Sequence, residues 1–295
     1  MSWRVTVQCS RAQAEAVPGL DHVFSNSASP PVLVADEPDP ARPDNWLIHA
    51  YFDHPPTDPE LDELASLGQG LPDLEALGED DWVTMSQAGL QPIQADRFYV
   101  YTPTHRGTVP QGAIPFEIDA GLAFGTGQHA TTAGCLAALD QLEVSGRRIA
   151  NIADIGTGTG LLAFAALALW PEARCIATDI DATAVDVTRD NARINGVALG
   201  HGPGELLLAV ADGMDTPMLA ARAPFDLLIA NILAGPLIEL APDFVRSLTP
   251  GGTIILAGLL DTQVEAVIRA YQDLGLTLAS QGPGEWPVLV LAHSV

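Results

Sequence analysis

From residue 148 to residue 294, apolar runs of strand length alternate with helical patterns, and this alternation constrains the fold more than any other feature. Runs that are apolar throughout are typical of parallel strands covered on both faces. The predicted strands are RIANIADI, RCIATDI, GELLLAVAD, FDLLIANIL and GGTIILAGLL, followed by a hairpin of TLASQ and VLVLAHS around GPGEW. The predicted helices are LLAFAALALW, ATAVDVTRDNARING ending at Gly196, a short one after GELLLAVAD, IELAPDFVRSL, and TQVEAVIRAYQDLG ending at Gly275. The sequence therefore predicts an α/β domain with a mainly parallel sheet.

The first 68 residues have a different pattern, with strands predicted at 3–8, 32–35 and 46–52 and helices at 10–18 and 59–68. This order indicates a small α+β, ferredoxin-like unit. Residues 69–81, QGLPDLEALGEDD, are acidic and contain Gly and Pro, which predicts a linker. The larger domain is then expected over residues 82–295, and QADRFYVYTP within it contains one more strand.

Composition excludes several classes of protein. Apolar residues make up 47% of the 295-residue chain, so a sizeable core is expected. The apolar stretch 161–170 is too short to span a bilayer, and MSWRVTVQCS does not have the pattern of a secretory signal. Three widely spaced cysteines, Cys9, Cys135 and Cys175, favour a reducing compartment over a disulfide framework or a zinc site. These features together predict a cytoplasmic protein with no membrane partner and no metal.

The charge balance is strongly acidic. There are 37 acidic residues and 13 basic ones, all of them arginine, which gives a net charge of -24. Phosphate backbones repel such a surface, so no direct nucleic-acid partner is expected. A basic protein partner would be attracted, although the same charge also serves solubility alone, and both interpretations stay open.

The stretch ADIGTGTGL at 153–161 lies where a predicted strand meets a helix, and its glycines permit positive φ and close backbone approach to a ligand. A phosphate-binding P-loop would require a lysine, which the chain does not contain. A nicotinamide fingerprint would require a third glycine where Leu161 stands. The spacing Gly156, Gly158, Gly160 is instead typical of S-adenosylmethionine-dependent methyltransferases.

Acidic residues follow the next two predicted strands. Asp179 is placed to accept hydrogen bonds from ribose hydroxyls, and Asp212, before Gly213, is placed to meet an adenine amino group. Each feature alone has a structural alternative, namely a ligand-free turn, a helix cap or an Asp–Gly turn. Their occurrence at three successive strand ends favours a nucleoside cofactor.

Two further stretches narrow the family: AGLAFGTGQHATT at 120–132 and ANILAGPLIELAP at 230–242. Together with DWV at 81–83, DIGTGTGLLA, DIDATAV, NARINGV and LTPGG, they resemble the ribosomal protein L11 methyltransferases over roughly residues 80–295. The resemblance implies a class I methyltransferase domain with a seven-stranded sheet, preceded by a small substrate-recognition domain. It also implies methylation of lysine side chains and of the N-terminal amine of that ribosomal protein, with S-adenosyl-L-methionine as the methyl donor.

Site residues carried over from the resemblance are Thr132, Gly156, Asp179 and Asn231 as cofactor contacts, with Asn231 also holding the acceptor nitrogen. This chain departs from the family's usual Thr–His–Pro–Thr–Thr after FGTG, because Gln128 and Ala130 replace the first threonine and the proline. The N-terminal unit matches the family only in size and coarse pattern.

Several alternatives stay open at this stage. His129 is a candidate proton acceptor, or else a loop residue that packs over the cofactor, and Phe124 contacts the cofactor or fills the core. The substrate is ribosomal protein L11 or another lysine-bearing protein, such as an electron-transfer flavoprotein subunit. A non-catalytic S-adenosylmethionine-binding protein is the third possibility. A monomer is expected.

Overall fold

The computed structural model describes residues 2–17, 24, 27, 29–36, 46–52, 54–77, 92–107, 109–118 and 128–293. The chain divides into two compact units, residues 1–89 and 90–295. The strands are β1 (Ser2–Cys9), β2 (Val32–Asp36), β3 (Trp46–Phe52), β4 (Gln69–Leu77), β5 (Ile93–Ala95), β6 (Phe98–Tyr101), β7 (Ile114–Glu117), β8 (Asn151–Ile155), β9 (Arg174–Asp179), β10 (Leu206–Val210), β11 (Phe225–Asn231), β12 (Leu248–Ala257), β13 (Leu276–Gln281) and β14 (Leu289–His293). The α-helices are α1 (Arg11–Ala16), α2 (Asp58–Leu67), α3 (Gln128–Val144), α4 (Leu161–Leu169), α5 (Ala182–Ile194), α6 (Pro217–Arg222), α7 (Ala234–Glu239), α8 (Ala241–Arg246) and α9 (Val264–Gln272), with 3-10 turns at Pro103–His105 and Asp261–Gln263.

The N-terminal unit is an antiparallel sheet in the order β2-β3-β1-β4 with two helices. Apolar side chains from β1, β3 and α2, among them Val5, Ile48, Phe52 and Leu64, form its core. The element order βαββαβ and this strand order confirm the ferredoxin-like prediction.

The predicted linker at 69–81 is wrong over residues 69–77, because these residues form β4 and pair antiparallel with β1. The pairing is irregular between Thr6 and Gln8, opposite Gly70 and Pro72. An edge strand accommodates a proline and an irregularity of this kind, and this tolerance hid the strand in the sequence. Residues 78–81 of the predicted linker lie outside the described residues.

The larger unit contains a seven-stranded sheet in the order β10-β9-β8-β11-β12-β14-β13. The pairs from β10 to β12 are parallel, and β14 is antiparallel to both of its neighbours, which confirms the mainly parallel sheet and its final hairpin. One apolar layer contains residues of α3, α4 and α5, and the other contains residues of α6 to α9. Strand order reverses between β8 and β11, and ligands of such sheets bind at the carboxyl ends of the strands at that point.

Two details of the larger unit differ from the sequence prediction. IELAPDFVRSL was predicted as one helix, but α7 ends at Glu239 and α8 begins at Ala241, with Pro242 in its first turn. A proline has no N–H to continue a helix, so the chain restarts there. A small sheet of β5, β6 and β7 precedes α3, and β6 confirms the strand predicted within QADRFYVYTP. No helix among the described residues is long and apolar enough to cross a membrane.

Candidate active site

The glycine loop joins β8 to α4 and lies over the end of β9. Gly156, Gly158 and Gly160 have φ angles of 73°, 57° and 85°, a region that favours glycine. The backbone N–H groups of Gly156 and Thr157 donate to the carbonyl oxygen of Thr178, at 2.8 and 2.9 Å. The alternation of glycine and threonine therefore specifies a left-handed turn bonded to the neighbouring strand.

The three glycines differ in what surrounds them. A Cβ on Gly156 would lie 2.3 Å from Cγ2 of Ile232, and a Cβ on Gly160 would lie 2.5 Å from Cζ of Phe164. A Cβ on Gly158 would meet no described atom within 4 Å. The outer two glycines thus permit close packing of the protein, whereas the space beside the Cα of Gly158 is open.

Asp179 is the last residue of β9, and its carboxylate is held by two backbone amides. Oδ2 accepts from the N–H of Gly158 at 2.9 Å, and Oδ1 accepts from the N–H of Asp181 at 3.0 Å. The side chain is half-buried, and a carboxylate has about four acceptor positions, so capacity remains for a ligand's hydroxyl groups. The glycine loop and the acid, which the sequence predicted separately, are directly bonded.

Beneath the loop lies a buried acid that the sequence analysis did not select. Asp154, in β8, accepts a hydrogen bond from Oγ1 of Thr157 at 2.7 Å and is 1% exposed. Burial raises the pKa of Asp154 to about 7, with Asp179 adding to the rise, although hydrogen bonds from Thr157 and from the Ala163 backbone oppose it. The sequence signal that could have identified Asp154 is an acidic residue within a largely apolar strand, directly before the glycines.

Asp212 lies two residues after the end of β10, at the same sheet edge as Asp179. The N–H of Ala211 donates to the carbonyl oxygen of Asp179 at 2.9 Å, so the two strand ends are adjacent. Asp212 is exposed and begins a turn that its carbonyl closes with the N–H of Asp215 at 3.0 Å. Asp212 can therefore form this turn and still be available to a ligand.

Asn231 is the last residue of β11, the strand beside β8. Its half-buried side chain makes no hydrogen bond with the described part of the chain. The next residue, Ile232, contacts two glycines: its Cγ2 faces Gly156, and its backbone atoms lie 2.4–3.0 Å from where a Cβ of Gly258 would be. Ile232 therefore packs the end of β11 against the glycine loop and against the residue after β12. Neither Ile232 nor Gly258 was selected from the sequence, because this contact requires the folded sheet.

The remaining predicted residues belong to α3 and the segment before it. Thr132 is buried near the start of α3, and no side-chain hydrogen bond joins it to the glycine loop among the described residues. His129 is in the first turn of the same helix, and its side chain, like that of Gln128, lies outside what is described. Phe124 and the stretch 119–127, as well as DWV at 81–83, also lie outside the described residues.

The sheet order and the glycine loop bonded to the acid at the end of the next strand are those of a class I S-adenosylmethionine-dependent methyltransferase, with S-adenosylmethionine as its cofactor. The family model described as ribosomal protein L11 methyltransferase (PrmA) matches residues 3–293. The chain belongs to this family.

Individual relatives agree with the family match. The chain is 48% identical over 213 residues to the ribosomal protein L11 methyltransferase of Brucella suis, covering 72% of each protein. It is 37% identical over 294 residues to that of a Caulobacter species, covering 98% of this chain and 96% of the relative. A crystal structure of ribosomal protein L11 methylase from Lactobacillus delbrueckii subsp. bulgaricus shares the fold, with a TM-score of 0.59 and 24% identity over 70% of this chain and 99% of that one.

Proposed function

We propose that this chain transfers methyl groups from S-adenosylmethionine to lysine side-chain amines and the N-terminal amine of ribosomal protein L11. The observation that carries the proposal is the hydrogen bond between Gly158 and Asp179, because it joins a glycine loop suited to a nucleoside to a carboxylate at the sheet edge where β11 also ends with Asn231. Membership of the L11 methyltransferase family supports the choice of substrate.

The cofactor is assigned to residues at four strand ends or helix starts. Gly156, Gly158 and Gly160 give the backbone approach, and the carboxylate of Asp179 accepts hydrogen bonds from ribose hydroxyls. Asp212 is assigned to the adenine amino group, since it is exposed at the next strand end. Thr132 is assigned as a further contact by the family resemblance alone.

The chemistry requires a neutral amine held in line with the methyl group. When bound, S-adenosylmethionine supplies a methyl group already activated on a sulfonium. The chain then has to provide orientation, which contributes about 7–11 kcal/mol in well-aligned reactions. Asn231 orients the amine through its side-chain oxygen, and apolar surroundings lower the amine's pKa from about 10.4. No proton-transfer role is assigned to His129, because no base is needed once the amine is neutral.

The N-terminal unit, residues 1–89, is proposed as the module that recognises the protein substrate. Its separate core supports a function apart from the cofactor site. A ribosomal-protein substrate places the enzyme in the cytoplasm, with the free basic protein as its partner and neither nucleic acid nor membrane required. A monomer suffices for this reaction.

The test uses radiolabelled S-adenosylmethionine, the full chain, and ribosomal proteins from cells that lack such an enzyme. Label on the L11 band alone is the expected result. Label on a different protein would retain the chemistry and reject the substrate. Measurable cofactor binding without any label would reject catalysis and favour a protein that only binds S-adenosylmethionine.

A further inference from the structure

Four arginines of the larger unit form no ion pair with a described carboxylate. The described residues from 92 to 293 contain ten arginines. Six of them form ion pairs, namely Arg97, Arg106, Arg189, Arg193, Arg246 and Arg269. The other four, which we call the unpaired arginines, are Arg147, Arg148, Arg174 and Arg222. In a chain with 37 acidic residues, this lack of partners requires an explanation.

All four unpaired arginines lie at the amino-terminal edge of the seven-stranded sheet, the edge opposite the glycine loop. Arg147 and Arg148 lead into β8. Arg174 begins β9, level with Asn151 of β8, and its N–H donates to the carbonyl oxygen of Ala150 at 2.9 Å. Arg222 donates from Nη2 to Oδ1 of Asn151 at 3.3 Å. One side of the unit therefore concentrates positive charge.

The carboxylates near this edge are mostly engaged elsewhere. Asp226 accepts from the N–H groups of Ala150 and Asn151, at 2.9 and 3.0 Å. Glu143 pairs with Arg97. Glu205 accepts from the N–H of Gly202 at 2.8 Å, and Glu172 is exposed and forms no ion pair with a described residue. The acids therefore do not neutralise the unpaired arginines by direct contact.

An open cavity of about 340 Å³ lies beside these arginines, lined by Arg147, Arg148, Trp170 and apolar neighbours such as Leu169. Two carboxylates also line it, Glu172 and Glu143, of which Glu143 is already paired with Arg97. Arg147 is held in place, because its Nη2 donates to the carbonyl oxygen of Gly251 at 2.9 Å and to Thr253. Its Nε and Nη1 hydrogens remain for a ligand, as do all those of the exposed Arg148. The indole N–H of Trp170 donates to the carbonyl oxygen of Arg147 at 3.0 Å, which fixes the apolar wall against the charged one.

We infer that this cavity binds a small phosphorylated molecule, with the phosphate on Arg147 and Arg148 and the organic part against Trp170. Guanidinium groups match phosphate oxygens in bidentate geometry, and the volume is within the range of small-molecule sites. The long-range field of a chain with net charge -24 opposes a polyanion such as RNA more than it opposes a small anion. The site lies away from the glycine loop, so the inference does not depend on the methyl-transfer proposal.

The experiment is calorimetric titration of the full chain with inorganic pyrophosphate and with cytidine monophosphate, in saturating S-adenosylhomocysteine to occupy the cofactor site. Arg148→Gln is the test variant, because Arg148 is exposed and lies outside the methyl-transfer residues. Arg189→Gln is the matched control, since Arg189 does not line the cavity and is paired with Asp186 within α5. Affinity for both probes should fall about tenfold in Arg148→Gln, as expected for a lost charge-assisted hydrogen bond, and stay unchanged in Arg189→Gln.

Tighter binding of cytidine monophosphate than of pyrophosphate would support the contact of the organic part with the apolar wall, and the reverse order would overturn that part of the inference. Absence of binding, or an equal loss in both variants, would overturn the inference. Binding of a hexaglutamate peptide in place of the two phosphate probes would also overturn it, because the edge would then be a docking surface for an acidic protein segment.

Discussion

Asn231 has a half-buried amide that makes no hydrogen bond with described residues, at the end of the strand that faces the glycine loop. Replacing it with alanine should lower the methylation rate more than about 100-fold, because loss of orientation alone has an effect of that size. Rate measurements with labelled S-adenosylmethionine provide the test. Circular dichroism and calorimetric binding of S-adenosylhomocysteine separate lost catalysis from lost folding. A rate within threefold of the unaltered chain would place the acceptor site elsewhere.

Asp154 should make stability depend on pH in an unusual direction. Burial raises its pKa from 3.8 to about 7, so the folded state prefers the protonated form. This contribution to stability is complete below pH 3.8 and is lost as the pH rises through about 7. Relative to Asp154→Asn, the free energy of unfolding should fall by up to about 1.4 kcal/mol per pH unit across that interval. Urea unfolding of both proteins from pH 4 to 8 measures the difference, and parallel curves would refute the shift.

At the scale of elements, the glycine loop and the end of β11 are held together through Ile232. Gly156→Ala should destabilise the fold by about 1–3 kcal/mol and weaken S-adenosylhomocysteine binding, because the new methyl group would lie 2.3 Å from Cγ2 of Ile232. Gly146→Ala is the matched control, since Gly146 has a similar φ of 78° but open surroundings. Equal losses in the two variants would mean that backbone strain alone is responsible. Ile232→Ala should partly rescue Gly156→Ala.

Helix α2 begins with a buried carboxylate that serves as its cap. Glu60 accepts from the N–H and hydroxyl of Thr57 at 2.8 and 2.7 Å, and from Ser27 at 2.7 Å. Burial alone would raise the pKa of Glu60, but these bonds and one with His54 hold it at about 2. Glu60→Gln should therefore loosen α2 by about 1 kcal/mol above pH 4.5, and the effect should fade as the pH falls towards 2. Hydrogen exchange of α2 amides is the measurement, with the exposed Asp62→Asn as control. Unchanged protection would contradict the capping role.

The success of the sequence prediction differs among elements for physical reasons. Parallel strands such as β8 and β11 are buried on both faces, so their apolar runs are visible in the sequence. Helix α3 was not predicted, because its small and apolar residues are spread around the helix and form no clear apolar stripe. Its start also overlaps a glycine-containing loop. β4 was missed because an edge strand tolerates Gly70 and Pro72.

The candidate site was only partly accessible from sequence. The positions of Gly158, Asp179 and Asn231 follow from the rule that ligands bind at the carboxyl ends of strands. The hydrogen bond between Gly158 and Asp179 and the contacts of Ile232 with two glycines depend on how strands far apart in the chain align. A single sequence does not specify such contacts. The unpaired arginines likewise become a cluster only in the folded sheet.

Viewed as a whole molecule, the chain has a charge of -24 and a proposed basic protein substrate. Electrostatic steering should raise the rate of encounter, an effect that ranges from about 10-fold to 1000-fold and is screened by salt. The value of kcat/KM for L11 should therefore fall at least about tenfold as ionic strength rises from about 0.02 M to about 0.3 M. By contrast, kcat at saturating substrate should change little, because bound substrate no longer depends on long-range attraction. Initial rates over a salt series measure both, with S-adenosylhomocysteine affinity at each salt concentration as the control. A kcat/KM that is independent of salt would assign the acidity to solubility alone.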